Sequence, residues 1–444
     1  MKKNAKLSKS LILNVILFGF MGQVAWAVEN NFFNLFLFNE IGGDSTDISN
    51  MVAASSIVAV LTTLFMGSLS DKINKRKIFI CGGYIIWGIT VMAFAFISPE
   101  NVAKIMGTTP VAAIATTVTI VIVMDCIMTF MGSTSNDAAF NAWITDITSP
   151  SNRAKTESLL ALLPVIAMVV VTAAFGALSG RFGYPACFIG LGLIVSACGI
   201  IGIFSIKDSR TGIKSTSSFI ECLTYGFKPS VIKSNKSLYI SLICMGIFSI
   251  ASQIFFPYLF IYVAHYIDME TLKLTVPTII LAVVVIAGAV AALVSIIILS
   301  DKKGKAPFLF PSAAFFVIGL VLVYFADKNI IWFALSAVIA MVGYGLLMIM
   351  INAAVRDFTP EDKAGQLQGI RMIFSVLLPM LIGPRIAAKI TDIYATAQYA
   401  NDYGEMVNIP APHIYLAAAI TGALIVIPLI FLSKEFKKQK SANN

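Results

Sequence analysis

Asn141 to Lys155 reads NAWITDITSPSNRAK, and Asn352 to Gly365 reads NAAVRDFTPEDKAG. With a one-residue gap the two stretches share six identities: Asn141/Asn352, Ala142/Ala353, Asp146/Asp357, Thr148/Thr359, Pro150/Pro360 and Ala154/Ala364. Arg153 and Lys363 keep a positive charge at one further position. Each copy follows a long apolar run and precedes another. The same junction therefore occurs at the same point in two similar halves arranged in tandem.

Composition identifies the solvent of those halves. Of 444 residues, 58% are hydrophobic and 12% charged, against about 25% charged in a soluble domain. A soluble core cannot hide that much apolar surface, whereas membrane spans of about 20 apolar residues each can use it. Lipid offers no water to unpaired backbone groups, so the spans are helices. They fall at 11–38, 50–70, 77–97, 113–145, 157–179 and 184–206, then at 238–264, 277–299, 308–326, 330–355, 365–390 and 413–432. The expected fold is an all-α integral membrane protein of twelve transmembrane helices in two six-helix bundles, 1–206 and 237–444. A connector of 207–236 joins them, with Phe219, Cys222, Leu223 and Phe227 on one face of a short amphipathic helix on the inner leaflet.

The N-terminal stretch also resembles an export leader, with basic residues Lys2 to Lys9, an apolar run and Ala25-Trp26-Ala27. Removing it would leave eleven spans and discard a helix with a partner in the second half. That partner is visible where Asn31-Phe-Phe-Asn-Leu-Phe resembles Ile254-Phe-Phe-Pro-Tyr-Leu, so the first span is expected to stay. With both termini cytoplasmic, 25 of the 32 Lys and Arg fall in inner loops and tails, and only Lys104, Arg181, Lys273 and Lys328 fall outside. The +9 net charge then reflects topology and attraction to anionic lipid rather than nucleic acid. The expected location is the cell membrane, crossed many times by a monomer.

Catalytic and metal chemistry lack a foothold. Six cysteines are scattered without a CxxC pair, and the two histidines, His265 and His413, sit at span ends without ligand spacing. No Ser/His/Asp set, phosphate loop or dinucleotide fingerprint is present. Neither enzymatic activity nor a cofactor is expected, beyond a coupling ion such as H⁺ or Na⁺.

Charges inside the spans carry the functional signal, because each costs about 2.5–3.5 kcal/mol on insertion scales unless it faces a partner or a cavity. Among 23 acids only Glu29, Asp125 and Asp137 fall well inside spans, all in the first half, while Arg371 and Arg385 lie in the eleventh. Asp137 lies about 13 Å from the cytoplasmic end near Asp146 and Asp125 about 31 Å. Midplane sites are the rule in transporters, which ranks Asp137 first as cation-coupling residue, ahead of Glu29 and Asp125. Asp125 shares a face with Thr129, Gly132 and Asn136 and suits an outer gate equally well. On the first span Gln23, Trp26, Asn30 and Asn34 recur as one polar-aromatic stripe. Amides and an indole suit a sugar's hydroxyls and apolar ring face, although polar residues joining two helices would look the same. Asn141, Gln253, Tyr258, Tyr344 and Arg371 complete the expected solute-binding set.

The loop after the second span reads Gly67-Ser-Leu-Ser-Asp71-Lys72-Ile-Asn74-Lys75-Arg76-Lys77, and the corresponding loop of the second half reads Asp301-Lys302-Lys303-Gly304-Lys305. Asp71 ends a helix beside basic residues and can pair with them or cap the next helix. Gly67-x-x-x-Asp71-Lys72-x-x-x-Arg76-Lys77 resembles the signature loop between helices two and three of the major facilitator superfamily. Asn74 and Ile297 stand where the family has Gly. The resemblance spans the whole chain and implies a cytoplasmic gate latch formed by Gly67, Asp71, Lys72 and Arg76, with Asp146, Arg153, Asp301 and Asp357 as its counterparts.

Asn136-Asp137-Ala-Ala-Phe140-Asn141 and Trp26-Ala-Val-Glu29-Asn30-Asn31 further resemble the glycoside–pentoside–hexuronide cation symporters and sucrose-type carriers, with Ala139 replacing a frequent proline. That likeness implies cation-coupled uptake of a sugar or glycoside, the bundles rocking to give alternating access. A proton-coupled exporter of amphipathic compounds shares the fold and the loop. A receptor or scaffold that binds without moving its ligand is the alternative of another class.

Overall fold

The computed structural model describes residues 9–443 apart from 74, 149, 208–219, 221–223, 268–305 and 361–362. Ten helices among the described residues are long and apolar enough to cross a membrane. They are α1 (Lys9–Ile41), α2 (Ser45–Ile73), α3 (Arg76–Phe96), α4 (Pro110–Ile147), α5 (Leu162–Ser205), α6 (Lys236–His265), α7 (Ala306–Phe325), α8 (Ile330–Phe358), α9 (Gln366–Tyr394) and α10 (His413–Lys438). The fifth is two spans in one continuous run, because Gly183 adopts φ 77° and ψ 164° and breaks it in the middle. Only glycine enters that region without a side-chain penalty. The expected span 277–299, Asp301, and Phe219, Cys222 and Leu223 of the connector lie outside the described residues.

The chain forms two compact units: Met1–Gly43, Ala54–Glu221 and Asn401–Glu405 make one, and Asp44–Ala53, Cys222–Ala400 and Met406–Asn444 the other. In the first, α1, α3 and α5 pack around aromatic rings. Phe33 meets Phe94 and Phe188 with centroids 4.4 and 5.0 Å apart. Helices α3 and α5 approach backbone to backbone, since a Cβ on Gly88 would lie 2.3 Å from Gly192 O and one on Gly192 2.4 Å from Gly88 O. Small residues permit such contacts in lipid, where no hydrophobic force drives helices together. The second unit repeats the device, with Gly343 of α8 set against the backbone of Phe316 in α7.

The spans are irregular where the polar residues sit. Helix α1 widens into π-helix over Val28–Phe33 and Leu37–Ile41, α4 over Ser133–Phe140, and α9 over Ile373–Leu377. Such widenings are rare and collect at functional sites. The second-half counterpart of the first, Phe256–Tyr258, is instead a 3₁₀ turn containing Pro257. After α9 a short antiparallel hairpin pairs β1 (Gln398–Ala400) with β2 (Met406–Asn408).

Candidate functional site

Two of the three intramembrane acids meet inside the first unit. Glu29, in the widened segment of α1, is 8% exposed, and Asp125 of α4 is 2% exposed. Thr129 Oγ1 donates to Glu29 Oε1 across 2.9 Å. Thr129 lies one turn beyond Asp125, so α4 presents both residues on one face. Asp125 accepts a hydrogen bond from the Ser55 hydroxyl of α2 and acts electrostatically on Glu29, as Asp137 does more weakly. Glu29 Oε2 and Asp125 Oδ1 are buried without a hydrogen-bond partner. No Lys or Arg among the described residues pairs with any of the three acids. A buried carboxylate oxygen without a donor is costly.

Asp137 has a different setting. It lies in the π-helical segment of α4, half-buried, with Ser133 Oγ donating to Oδ2 across 3.1 Å and Asn136 Nδ2 to Oδ1 across 3.3 Å. Both oxygens are therefore satisfied as a carboxylate. The Trp26 indole approaches it, but its buried Nε1 completes no hydrogen bond. Trp26 in turn packs on Trp87 at 5.0 Å. Tyr84 donates to Phe18 O at 2.6 Å and also lies 3.1 Å from Asn136 Oδ1. Gly22 makes this contact of α1 with α4 possible, since a Cβ there would fall 2.2 Å from Asn136 Oδ1.

Two amides of the α1 stripe bond to their own helix. Asn30 Nδ2 donates to Trp26 O and Asn34 Nδ2 to Asn30 O, each at 2.8 Å. Wide π turns leave carbonyls poorly served, and these side chains cover them. Asn30 is exposed, Asn34 buried and Gln23 half-buried. Asn141 is exposed and donates to Asp137 O at 3.0 Å.

In the second unit Tyr258 is fully buried, its hydroxyl 2.8 Å from Ser45 O and 3.0 Å from Pro384 O. Its single proton is shared between two carbonyls, so the hydroxyl expected to meet solute is engaged with the backbone of α2 and α9. Gln253 marks the α6–α9 crossing, where a Cβ on Gly383 would lie 2.6 Å from its Cβ. Tyr344 is half-buried on a platform with Phe248 at 5.1 Å and Phe256 at 5.2 Å. Arg371 lines a cavity with Arg356 and Thr359 of the repeated junction, so it sits at the junction end of its helix rather than at mid-depth.

Several of the residues expected to form a latch meet in the first unit. Arg76, 9% exposed, bonds to Asp71, to Ser70 Oγ at 2.6 Å and to Asp146 Oδ2 at 3.1 Å. Ser70 itself donates to Gly67 O at 3.0 Å. One guanidinium thus joins the signature loop to the first copy of the repeat. Lys72 is exposed and forms none of these bonds, and Asp357 is exposed. Asp301 and the Arg153 side chain lie outside what is described. Sequence reasoning missed Ser55, Ser70 and Ser133. Only Ser133 left a signal, four residues before Asp137 on the same helix face.

The long apolar helices of the two units define a polytopic membrane protein. The chain belongs to the Major Facilitator Superfamily, whose family model matches residues 15–384 and 270–443. As a member it is a transporter and not an enzyme. It is similar to the nucleoside transporter NupG, with 13% identity and a TM-score of 0.64 over 95% of this chain and 98% of that one. A mutant of NupG reaches 0.68 at 13% identity, covering 95% and 99% of the two chains. A bacterial homolog of the human lysosomal transporter Spinster, inward-facing and unoccupied, reaches 0.58 at 12% identity over 97% and 96%. At such identities the likeness extends to the fold alone. No curated protein matches the chain.

Proposed function

We propose that this transporter is proton-coupled and takes up a polar solute of sugar or glycoside type. The carrying observation is the Glu29–Thr129–Asp125 cluster, with two buried carboxyl oxygens left without partners. A proton on either acid turns an orphaned acceptor into a donor and removes a charge from the membrane interior. Proton entry at this pair changes the affinity for solute, and solute reciprocally changes the affinity for the proton. Depth alone ranks Asp137 first; on this reading the unpartnered oxygens of Glu29 and Asp125 support these two as the coupling pair, and Asp137, beside Trp26, meets the solute. Nucleosides join the substrate class because each is itself a glycoside with a stacking base, and a structural relative is a nucleoside transporter. The protein works in the cell membrane with both termini cytoplasmic, in keeping with its Lys and Arg distribution.

The test is uptake into proteoliposomes of labelled sugars, glycosides and nucleosides under imposed H⁺, Na⁺ or no gradient. Accumulation driven by H⁺ and lost in Asp125→Asn supports the proposal. Accumulation driven by Na⁺ alone replaces the ion. Movement of amphipathic dyes outward with no polar solute inward replaces uptake with export.

A further inference from the structure

The second unit holds a cavity of about 260 Å³ that proton coupling does not use. Its floor is apolar and buried, made by Leu238 and Leu242 of α6, Val355 of α8 and Leu367 of α9. Two exposed arginines, Arg356 and Arg371, stand at its rim, and its lining among the described residues includes no acid. Paired guanidiniums present planar forks that match phosphate oxygens. Thr359 and Gln368 add neutral hydrogen-bonding groups beside them.

Size and setting select the source of the anion. Pockets that enclose a whole small ligand usually run to about 300–1,000 Å³. This cavity takes less, a charged group and the first few carbons behind it, so the rest of the ligand lies outside. The cavity lies at the end of α8 that carries the repeated junction, on the side to which the Lys and Arg distribution assigns the cytoplasm. Next to it the connector is pinned down: Tyr239 donates to Gly226 O, and Gly226 packs on Ile370 so tightly that a Cβ would fall 2.6 Å from that side chain. The pinned stretch carries exposed Phe227 and Ile232 among Lys228 and Lys233. Exposed apolar side chains among lysines are suited to an anionic bilayer surface.

We propose that this cavity is a binding site for an anionic phospholipid of the cytoplasmic leaflet. The phosphate is held between Arg356 and Arg371, and the glycerol and first methylenes lie on Leu238, Leu242, Val355 and Leu367. It rests on the proposed orientation of the chain and is independent of the coupling ion and the transported solute.

The experiment is native mass spectrometry of the full-length protein, titrated with phosphatidylglycerol, phosphatidylcholine or inorganic phosphate. Expected is a saturable phosphatidylglycerol adduct, with phosphatidylcholine binding weaker. Loss of two charge-assisted bonds in the Arg356→Gln/Arg371→Gln variant should weaken the adduct about tenfold or more. Leu242→Trp, which fills the floor and keeps both charges, should weaken it comparably, so the site is tested even where the double variant does not fold. Asp125→Asn should leave the adduct intact while removing proton-driven uptake, which separates failure here from failure of the transport proposal. Equal binding of the two lipids, or phosphatidylglycerol binding unchanged in both cavity variants, overturns the site. Inorganic phosphate binding with the same arginine dependence, and no lipid adduct, overturns the lipid as occupant.

Discussion

Thr129 Oγ1 sits 2.9 Å from Glu29 Oε1, one hundred residues away along the chain and on another helix. The bond fixes one carboxyl oxygen of Glu29 and leaves the other facing a buried, unpartnered position. Thr129→Val keeps the shape of the side chain and deletes the donor. It should lower thermal stability by about 1–3 kcal/mol and reduce proton-driven accumulation several-fold, read as melting temperature and as uptake in proteoliposomes. Unchanged uptake at full stability would remove Thr129 from the coupling site.

Glu29→Gln and Asp125→Asn should each abolish accumulation against a gradient while sparing solute exchange, because a neutral amide cannot release a proton at either face of the membrane. Asp137→Asn should raise the solute concentration needed for half-maximal exchange, since both its oxygens already have donors. Counterflow measured beside gradient-driven uptake separates these outcomes. Loss of accumulation in Asp137→Asn alone would return the coupling role to Asp137.

Arg76 satisfies Asp71, Ser70 and Asp146 at once. Its carboxylate partners are 26% and 21% exposed, so water screens part of what the latch contributes. Arg76→Ala should still cost about 1–3 kcal/mol, because two carboxylates lose their shared cation. Arg76→Lys should recover only part of the loss, since an ammonium lacks the planar fork that reaches three partners. Thermal unfolding of the purified variants decides the order.

Gly22→Ala places a methyl 2.2 Å from Asn136 Oδ1, in a contact that also holds the Tyr84 hydroxyl. Overpacking of this kind costs about 1–3 kcal/mol. Gly67→Ala meets nothing within 4 Å and should be nearly silent, which makes it the matched control in the same unfolding assay.

The tip of the hairpin gives a pH prediction. Tyr403 Oη lies 2.9 Å from Glu100 Oε1 and 3.1 Å from Glu40 O. Slight burial pushes the Glu100 carboxyl up, but hydrogen bonds from Ser98 and Tyr403 outweigh it and hold the carboxyl below its ordinary value. A lowered carboxyl contributes stability that is present above the ordinary value and is lost as pH falls through the folded one. Protection of residues 401–405 from hydrogen exchange should therefore weaken as pH drops below about 4. Tyr403→Phe should show weaker protection already at neutral pH and a smaller acid-dependent loss.

Much of the site was visible before any tertiary contact. Membrane insertion makes each intramembrane acid expensive, so Glu29, Asp125 and Asp137 stood out against an apolar background. The Asp71–Arg76 pair was equally legible, because the two residues lie five apart in one loop. The roles within the acid set were not. Depth leaves Asp125 open to a coupling role or an outer gate, and only helix packing brings it to the Ser55 hydroxyl and within electrostatic reach of Glu29. The amide stripe of α1 suits a sugar-binding wall, yet Asn30 and Asn34 each give one N–H to a carbonyl of their own helix, and periodicity cannot reveal that the helix has widened.

The sequence by itself determined the solvent, the helical class, the tandem halves and which side chains carry charge into the membrane. These follow from local composition and repetition, and lipid enforces them residue by residue. Only the tertiary structure decided which polar atoms find partners. It paired Thr129 with Glu29, consumed the Tyr258 hydroxyl between two carbonyls, and put Arg356 and Arg371 around one cavity. Hydrogen-bond satisfaction depends on distances between helices far apart in sequence, and a linear pattern does not contain those distances.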